Sequence, residues 1–250
     1  MSAPRTDHYS YSVYADPAMA ESFEGLRFSG PIGRLIAESQ ERVLAEFLAP
    51  VNGRTVLDVG TGTGRAAIAL ARRGATVTGV DASNEMLDVA RVRATDAHVN
   101  VTFAPGDAHG LAFENQSFDD VVCLRVLMHT PDWRQSLGEL CRVARTRVVF
   151  DYPALASAAA IQALTRHVAA AVGARVEAYR VFSDRAVQAT LRERGFRVIG
   201  SDRQFVLPIA LHKAVGSLAV TSRVEGALAR VGLRSLLGSP VTVVAERCAS

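Results

Sequence analysis

The stretch VLDVGTGTG at residues 56–64 joins a short apolar segment to a loop with three closely spaced glycines. Residues 55–59 predict a short apolar strand interrupted only by Asp58, whereas the uninterrupted apolar run at 121–124 is typical of a strand that is covered on both faces. Glycine adopts backbone conformations that other residues avoid, so the spacing indicates a sharp turn after the strand. The apolar residues that follow, up to Ala71, predict a helix. The stretch therefore predicts a strand, a tight turn and a helix, in that order.

The alternation of apolar strands and helices continues from this loop to about residue 150. We expect the following strands at 76–80, 99–103, 120–124 and 147–150. Ser83 is placed to cap the helix after the second strand, and Gly30-Pro31 to open a helix before the first, since proline is favoured in a first turn. Strands that alternate with helices form parallel sheets with right-handed crossovers. The chain therefore predicts a doubly wound α/β domain.

The last third of the chain has a different pattern, which does not by itself reveal the direction of its strands. We expect helices at about 155–172 and at 183–194, the second of them ending at a glycine. Segments 196–199 and 204–207 indicate one strand or two pieces of a bent strand. About thirty helical residues follow, and then a final strand at 241–245.

Composition limits the classes to which the chain can belong. With 250 residues, 49% of them apolar and 21% charged, it has a globular composition and the length of one large domain, or of one domain with an inserted cap. The 28 basic residues nearly balance the 25 acidic ones and are scattered, so nucleic acid is not the expected partner. No apolar run reaches the roughly 18 residues of a membrane span, so no integral membrane segment is expected.

The cysteines and the first residues bear on the compartment. Cys123, Cys141 and Cys248 form no Cys-x-x-Cys pair, and an odd, widely spaced set favours free thiols in a reducing compartment. Residues 1–16 lack the basic and then apolar pattern of a signal peptide. We therefore expect a cytoplasmic protein. Cys123 and Cys141 lie in apolar patterns, which favours buried structural thiols over catalytic ones.

Two acidic residues flank the glycine loop. Asp81 ends the second predicted strand, 21 residues after Gly60, where a carboxylate can accept both hydroxyls of a ribose. Asp58 precedes the first glycine by two residues, where a carboxylate repels a pyrophosphate and suits an ammonium group. The spacing Gly-x-Gly-x-Gly also departs from the Gly-x-Gly-x-x-Gly of dinucleotide sites. These features favour a nucleoside with an amino-acid head; the structural alternative is a glycine-rich turn beside a surface aspartate.

Four segments together form a set of motifs. They are DVGTGTG at 58–64, GVDASNEML at 79–87, GDA at 106–108, and the region from DDVV at 119–122 to HTPD at 129–132. In these segments the chain resembles the class I S-adenosylmethionine-dependent methyltransferases, and the fourth is similar to small-molecule enzymes such as the ubiquinone and menaquinone methyltransferases. The resemblance covers about 54–150. It implies a Rossmann-like sheet of seven strands with the last strand antiparallel.

The resemblance also implies S-adenosyl-L-methionine as the cofactor, with a role for each matching residue. Asp58 would lie near the methionine amino group, and Asp81 would hold the ribose hydroxyls. Met86 would pack near the adenine, with the helix core as the alternative. The remaining residues that the resemblance implies for cofactor binding are Gly60, Thr61, Gly62, Ala82, Asp107, Ala108, Leu124 and Arg125.

The implied reaction is an in-line displacement at a sulfonium methyl group, which needs a base only when the acceptor is a hydroxyl or an acidic carbon. His129 is the candidate catalytic base, with a capping or packing role as the alternative. Quinone-type relatives that use a metal carry carboxylates where this chain has Arg125 and Met128, so no metal is expected. Segment 124–127 lacks the Asn-Pro-Pro-Tyr signature of many protein and DNA methyltransferases, which favours a small-molecule substrate.

We expect residues 1–53 to form a helical lid and residues 54–250 to form the methyltransferase domain, with helical insertions at about 153–182 and 208–238. The lid and the apolar stretch 205–237 would wall a pocket for a quinone, lipid or polyketide-like acceptor, or would form a dimer interface. A monomer or a homodimer is therefore expected. The alternatives to a methyltransferase are a non-catalytic cofactor-binding or partner-binding protein and a nicotinamide-dependent oxidoreductase.

Overall fold

A computed structural model describes residue 25, residues 28–158 and residues 180–249 of the chain. These residues form one sheet of seven strands: β1 Thr55–Val59, β2 Thr76–Asp81, β3 Val101–Pro105, β4 Phe118–Cys123, β5 Ala144–Tyr152, β6 Phe196–Phe205 and β7 Ser239–Arg247. Their spatial order is β3-β2-β1-β4-β5-β7-β6. The first five strands pair in parallel, and β7 is antiparallel to both β5 and β6. The predicted seven-stranded sheet with an antiparallel last strand is confirmed.

Eight α-helices are described from end to end: α1 Gly30–Phe47, α2 Arg65–Ala71, α3 Asn84–Asp96, α4 Trp133–Val143, α5 Asp184–Glu193, α6 Ile209–Val215, α7 Leu218–Arg230 and α8 Leu233–Leu237. A 3₁₀ turn at Leu127–His129 follows β4. The predicted first turn with proline is present in α1. The predicted cap of α3 is also present, because Ser83 Oγ accepts a hydrogen bond from the backbone N–H of Met86 at 3.0 Å.

The parallel strands are covered on both faces, as their continuous apolar sequence predicts. In β1, Leu57 belongs to an apolar cluster that includes the α4 residue Leu137. Its neighbour Val56 points to the other face, into a cluster with the α1 residue Leu44. Because consecutive strand residues point to opposite faces, adjacent buried apolar residues such as Val56 and Leu57 require a helical layer on each side. The two layers hold the strand ends, and the loops after them, in fixed positions.

Several strands differ from their expected bounds, among them β4, which ends at Cys123 and not at residue 124, and two of the differences have a clear physical reason. The third strand begins at Val101 and not at Val99, because the N–H of Val99 bonds to the carbonyl of Ala94 and closes the end of α3. His98 has a φ of 54° at this helix end, a left-handed conformation that stops the helix. The fifth strand is longer than expected at both ends, because Ala144 pairs with Phe118 of β4 and residues 151–152 pair with β7. Pairing with a strand from the other end of the chain leaves no signal in the local sequence.

The last third of the chain follows the predicted element types within the described residues. The expected helix at 155–172 lies mostly outside them. Segment 196–205 is one strand with a register shift between Val198 and Gly200, which decides between the two alternatives in favour of a single strand that ends at Phe205. The long helical stretch is divided into α6, α7 and α8 by Gly216 and Gly232, both with positive φ. Glycine at these two places ends one helix before the next begins.

The amino ends of the strands carry a buried ion cluster. The β4 residue Asp120 is completely buried and accepts hydrogen bonds from Arg54 at 2.6 and 3.0 Å and from Arg147 at 2.8 and 3.0 Å. Arg147 also donates to the carbonyls of residues 47–49 at the end of α1. The cluster therefore ties β4, β5 and α1 together at the edge of the sheet opposite the glycine loop.

The cysteines are unpaired, as expected, and two of them are buried. Burial raises the pKa of the Cys141 thiol to about 12 and also raises the pKa of Cys123. Both thiols therefore stay protonated at neutral pH, which agrees with a structural role. Among the described residues, no helix has the length and apolar composition needed to cross a bilayer.

Candidate functional site

A cavity opens at the carboxyl ends of β1, β2 and β4. From β1 the chain adds β2 and β3 on one side of the sheet and then β4 and β5 on the other, so the strand order reverses at β1. Open α/β sheets bind ligands at this position because the loops after the strands diverge there. About 1180 Å³ of empty space lies within the cavity, part of it open to solvent. All twelve predicted site residues line it: Asp58, Gly60, Thr61, Gly62, Asp81, Ala82, Met86, Asp107, Ala108, Leu124, Arg125 and His129.

The glycine loop needs its glycines for two different reasons. Gly60 has a φ of 70°, and a Cβ built there would lie 2.2 Å from a methyl carbon of Val126. Gly62 has a φ of 54°, but a Cβ there would meet no atom within 4 Å and would enter open space. Gly60 thus permits contact between two loops of the protein. Gly62 leaves the floor of the cavity open to the close approach of a ligand.

Asp58 lies at the end of β1 and is only 2% exposed. Its carboxylate accepts a hydrogen bond from the Thr61 hydroxyl at 2.7 Å, and the backbone N–H of Ala67 also donates to it. Burial raises the pKa of Asp58 to about 6, and these neutral donors offset the rise only in part. Among the described residues, no cationic side chain forms an ion pair with Asp58, although Arg65 lies close enough to lower its pKa slightly. A ligand cation would therefore stabilise this carboxylate.

Asp81 is the last residue of β2, and its carboxylate holds the glycine loop through a hydrogen bond to a backbone N–H group. One carboxylate oxygen accepts from the N–H of Gly62 at 2.8 Å, and the other accepts from the N–H of Ser83 at 3.0 Å. Burial raises the pKa of Asp81, and these backbone hydrogen bonds counteract the rise. Each carboxylate oxygen has two lone pairs, so both can also accept a hydroxyl from a ligand in the cavity.

Asp107 follows β3 and is held in place by a histidine that the motif analysis missed. Its Oδ1 accepts from the backbone N–H of His109 at 2.9 Å and lies 2.8 Å from His109 Nδ1. The other ring nitrogen, Nε2, accepts from the N–H of Asp132 at 3.3 Å. This arrangement places the proton on Nδ1, which donates to Asp107. His109 therefore connects the loop after β3 to the start of α4.

The wall next to β4 carries the remaining predicted residues. Arg125 has a φ of 64°, unusual for a residue with a side chain, and its N–H donates to the buried Asp151 carboxylate at 2.5 Å. His129 ends the 3₁₀ turn, lines the cavity and is 7% exposed. The turn thus brings one buried imidazole to the cavity. The structure brings these residues together around one cavity.

Other lining residues were not singled out by motif. Phe28, which the sequence suggests only as part of an aromatic lid, lines the cavity, and the Arg65 guanidinium stacks on its ring at 4.3 Å from the centroid. The other predicted lid aromatics lie outside the described residues. The insertion 208–238 contributes no residue to the described lining of this cavity, so its expected role as the wall of an acceptor pocket stays a prediction. Within the same residues, no cluster of three or more His, Cys, Asp or Glu side chains has the arrangement of a metal site.

Fold and site together define a nucleoside-binding α/β domain with two carboxylates beside a glycine loop. Residues 56–147 match the family model of a methyltransferase domain. Over these residues the chain is similar to the class I S-adenosylmethionine-dependent methyltransferases, as the sequence motifs implied. The seven strands and the antiparallel β7 that the resemblance implied are both present.

Two curated proteins illustrate the similarity. The chain is 46% identical over 87 residues to a ubiquinone biosynthesis O-methyltransferase of Paracidovorax citrulli, a match that covers 34% of this chain and 37% of that protein. It is 36% identical over 146 residues to methyltransferase GfsG of Streptomyces halstedii, covering 56% of this chain and 48% of that protein. The chain thus spans between about a third and a half of the length of these relatives.

Solved structures extend the similarity of the fold to nearly the whole chain. Magnesium protoporphyrin IX methyltransferase of Synechocystis PCC 6803, crystallised with bound SAH, matches with a TM-score of 0.68. The match covers 96% of this chain and 98% of that chain at 17% sequence identity. At this level of identity the comparison concerns the fold.

Proposed function

We propose that the chain transfers a methyl group from S-adenosyl-L-methionine to a hydroxyl oxygen of a small, largely apolar acceptor. The observation that carries the proposal is the Asp58 carboxylate, which is buried beside the glycine loop with only neutral hydrogen-bond donors. A buried carboxylate without a paired cation is costly to the fold. The ammonium group of an amino-acid head would provide that cation.

The other lining residues fit the same cofactor. Asp81 presents two carboxylate oxygens to the cavity side of the loop and suits a pair of ribose hydroxyls. The carboxylate of Asp107, which His109 holds in place, can accept a hydrogen bond from the exocyclic amino group of a nucleobase. A nicotinamide dinucleotide fits less well, because its pyrophosphate would face the carboxylate of Asp58. The cofactor, when bound, supplies an electrophilic methyl group on a sulfonium centre.

The chain's own part in the reaction is to bind, orient and exclude water. Loss of positive charge from sulfur is favoured in a dry, preorganised site, and the apolar side chains of Leu124, Val126 and Pro131 line the cavity on one side. Holding the acceptor in line with the methyl group lowers the barrier by removing orientational freedom. His129 is the one buried imidazole among the described lining residues, and we assign it the hydroxyl proton.

The acceptor class rests on the lining and on one relative. Phe28 and the residues after β4 give the outer part of the cavity an apolar character. The relative from Paracidovorax citrulli is named a ubiquinone biosynthesis O-methyltransferase, which supports an oxygen acceptor on an apolar ring. A hydroxylated aromatic ring or quinol with an apolar tail is the substrate class that fits both features.

Calorimetric titration with S-adenosylmethionine, S-adenosylhomocysteine and NAD tests the cofactor. We expect the first two to bind and NAD not to bind. Transfer of labelled methyl to a panel of hydroxylated aromatic compounds then tests the reaction. Binding without transfer to any compound would favour a non-catalytic cofactor-binding protein, and binding of NAD alone would contradict the proposal.

His129→Gln tests the assigned base. We expect kcat for a hydroxyl acceptor to fall roughly 10²–10⁴-fold, as for other general bases, with little change in cofactor affinity. The matched control is His98→Gln at the end of α3, outside the cavity, which should leave kcat unchanged. An unchanged kcat in His129→Gln would show that His129 is not the base. It would not contradict the proposed methyl transfer itself.

A further inference from the structure

The helices α6, α7 and α8 have an inverted distribution of polar and apolar side chains. We call residues 209–237 the insertion. The side chains that it buries are polar: His212 in α6, and Thr221 and Glu225 in α7. The large apolar side chains that it exposes to solvent are Leu211, Val215, Leu218, Val220, Val224, Val231, Leu236 and Leu237. A helix on the surface of a soluble protein normally buries its apolar side chains and exposes its polar ones.

The buried polar residues fix this orientation. Glu225 accepts hydrogen bonds from the backbone N–H groups of Val206 and Leu207 at 2.9 and 3.0 Å, just after β6. His212 Nε2 lies 2.8 Å from the Glu225 carboxylate, and the Thr221 hydroxyl lies 3.2 Å from His212 Nδ1. A buried network of this kind resists rotation of the helices, because turning them would leave its polar groups unpaired. The apolar exposure is therefore built into the fold.

The exposed side chains form a stripe along α7. Val220, Val224, Ala227 and Val231 follow one another at spacings of four, three and four, which places them on one face of the helix. Val231 is 71% exposed, more than the other large apolar residues of the described chain. A contiguous apolar surface of this kind marks a contact with another apolar phase.

The charge of the insertion identifies the kind of partner. It contains four basic residues, Lys213, Arg223, Arg230 and Arg234, all of them exposed, and its single acid, Glu225, is buried. Subtracting these residues from the 28 basic and 25 acidic residues of the chain leaves 24 of each. The net charge of +3 thus lies entirely in the insertion. A second copy of the chain would place these like charges against each other, whereas an anionic surface would complement them.

We propose that the insertion docks on the surface of an anionic lipid bilayer, with its valines and leucines in the acyl boundary and its arginines at the headgroups. Helices with apolar and basic residues on one exposed side lie in this way at a membrane interface. The surface is also connected to the cavity. Ile209 of α6 packs in an apolar cluster with Phe28, which lines the cavity. Docking is a separate property from methyl transfer, and it would bring the cavity near acceptors dissolved in the bilayer.

Co-sedimentation with vesicles tests the proposal directly. We expect the full chain to pellet with vesicles of phosphatidylcholine mixed with phosphatidylglycerol, and to remain in the supernatant with phosphatidylcholine alone. Binding should weaken as the salt concentration rises. Each basic residue near such a surface contributes about 1 kcal/mol, or roughly fivefold in partitioning. The double variant Arg223→Gln/Arg230→Gln should therefore bind about 25-fold more weakly.

Two matched controls separate docking from general effects. Arg72→Gln/Arg192→Gln removes the same charge from exposed helix positions outside the insertion and should bind like the parent chain. Val231→Asp should weaken binding roughly tenfold or more, because burial of one valine side chain is lost. The control Val92→Asp on α3 should change it far less. Thermal unfolding of each variant checks that the fold is kept.

Three results would overturn the proposal. One is a parent chain that stays in the supernatant with both vesicle types at low salt. Another is equal weakening by the insertion variants and their controls. The third is a dimer, seen by light scattering, that Val231→Asp dissociates while vesicles are not bound, which would assign this face to a second copy. None of these results depends on whether the chain transfers methyl groups, so docking and the proposed reaction fail or hold separately.

Discussion

The two ends of the central strands each hold a deeply buried carboxylate, and the partners of these two groups differ. Asp120, near the amino end of β4, receives four hydrogen bonds from Arg54 and Arg147. Asp58, at the carboxyl end of β1, receives hydrogen bonds from a hydroxyl and a backbone amide. A carboxylate that the protein pairs with its own cations belongs to the fold. A carboxylate supplied only with neutral donors is held ready for a cation from outside.

Titration properties show the same contrast. At the amino end, the hydrogen bond from the Thr55 backbone and the other donors around Asp119 lower the pKa of that carboxyl. At the other end of β1, burial raises the pKa of Asp58 to about 6. The same sheet therefore stabilises the charged form of one carboxylate and destabilises the charged form of the other. The ion pairs of Asp120 therefore lie at one edge of the sheet, and the proposed cofactor contacts lie at the other.

Removing the structural carboxylate should have the largest effect. We expect Asp120→Ala to lower the free energy of unfolding by roughly 3–5 kcal/mol, because two largely buried guanidinium groups lose their counter-charge. Urea denaturation measures the change. The control is Asp88→Ala in the exposed pair with Arg91 on α3, which should cost less than about 1 kcal/mol. A similar small cost for both variants would show that the two edges do not differ in this way.

Asp58→Asn should raise the free energy of unfolding at neutral pH, whereas Asp120→Ala should lower it. The folded pKa of Asp58, about 6, lies above its ordinary value of 3.8, so the folded chain binds the proton more tightly than the unfolded chain does. Stability is therefore lost as the pH rises through this window, and the full cost at pH 7 and above is about 3 kcal/mol. The asparagine variant should lack this loss and should also bind the cofactor more weakly.

Urea denaturation of both chains from pH 5 to 8 measures the difference in slope. Asp119→Asn is the matched control at the opposite edge. The folded pKa of Asp119 is lowered, so its contribution is lost only as the pH falls below about 4. Its effect should be constant over the tested range. Parallel profiles for the parent chain and Asp58→Asn would contradict the assignment of Asp58 as a destabilised carboxylate.

Asp81→Ala should give the smallest of the three effects, and it should appear in binding. Loss of charged hydrogen bonds to a ribose should weaken the affinity for S-adenosylmethionine by about 1.5–3 kcal/mol, measured by calorimetry. Thermal unfolding of Asp81→Ala checks that the loop, which Asp81 also holds through the N–H groups of Gly62 and Ser83, is preserved. Asp96→Ala, on the exposed side of α3, should leave affinity unchanged. An unchanged affinity in Asp81→Ala would break the ribose assignment and leave only one binding carboxylate.

The sequence was sufficient to place the cavity because its residues follow strands. The carboxyl ends of parallel strands meet at one edge, so Asp58, Asp81 and Asp107 could be brought together from the order of strands and motifs alone. His109 could not be placed so readily, since its ring bonds to the backbone of Asp132, 23 residues further along the chain. Its one local signal is its position two residues after Asp107.

The insertion shows a different limit of sequence analysis. Apolar residues at helical spacing indicate that one face of a helix is covered, but they do not indicate by what. The pattern around Val224 and Val231 suggested a pocket wall, whereas these residues face solvent in the structure. The deciding contacts are those of Glu225 with the backbone after β6, and they depend on tertiary structure. A buried acid within an apolar helical stretch is the signal that could have shown the orientation.

The position of β7 between β5 and β6 also sets an order for assembly during synthesis. The first five strands can pair as they leave the ribosome, but β6 pairs only with β7, which begins 34 residues after β6 ends. Until β7 emerges, β5 presents an open edge and β6 has no neighbour in the sheet. Unpaired edges of this kind attract other nascent chains. Translation speed and chaperone capture across this interval will therefore influence how much of the chain reaches its native state.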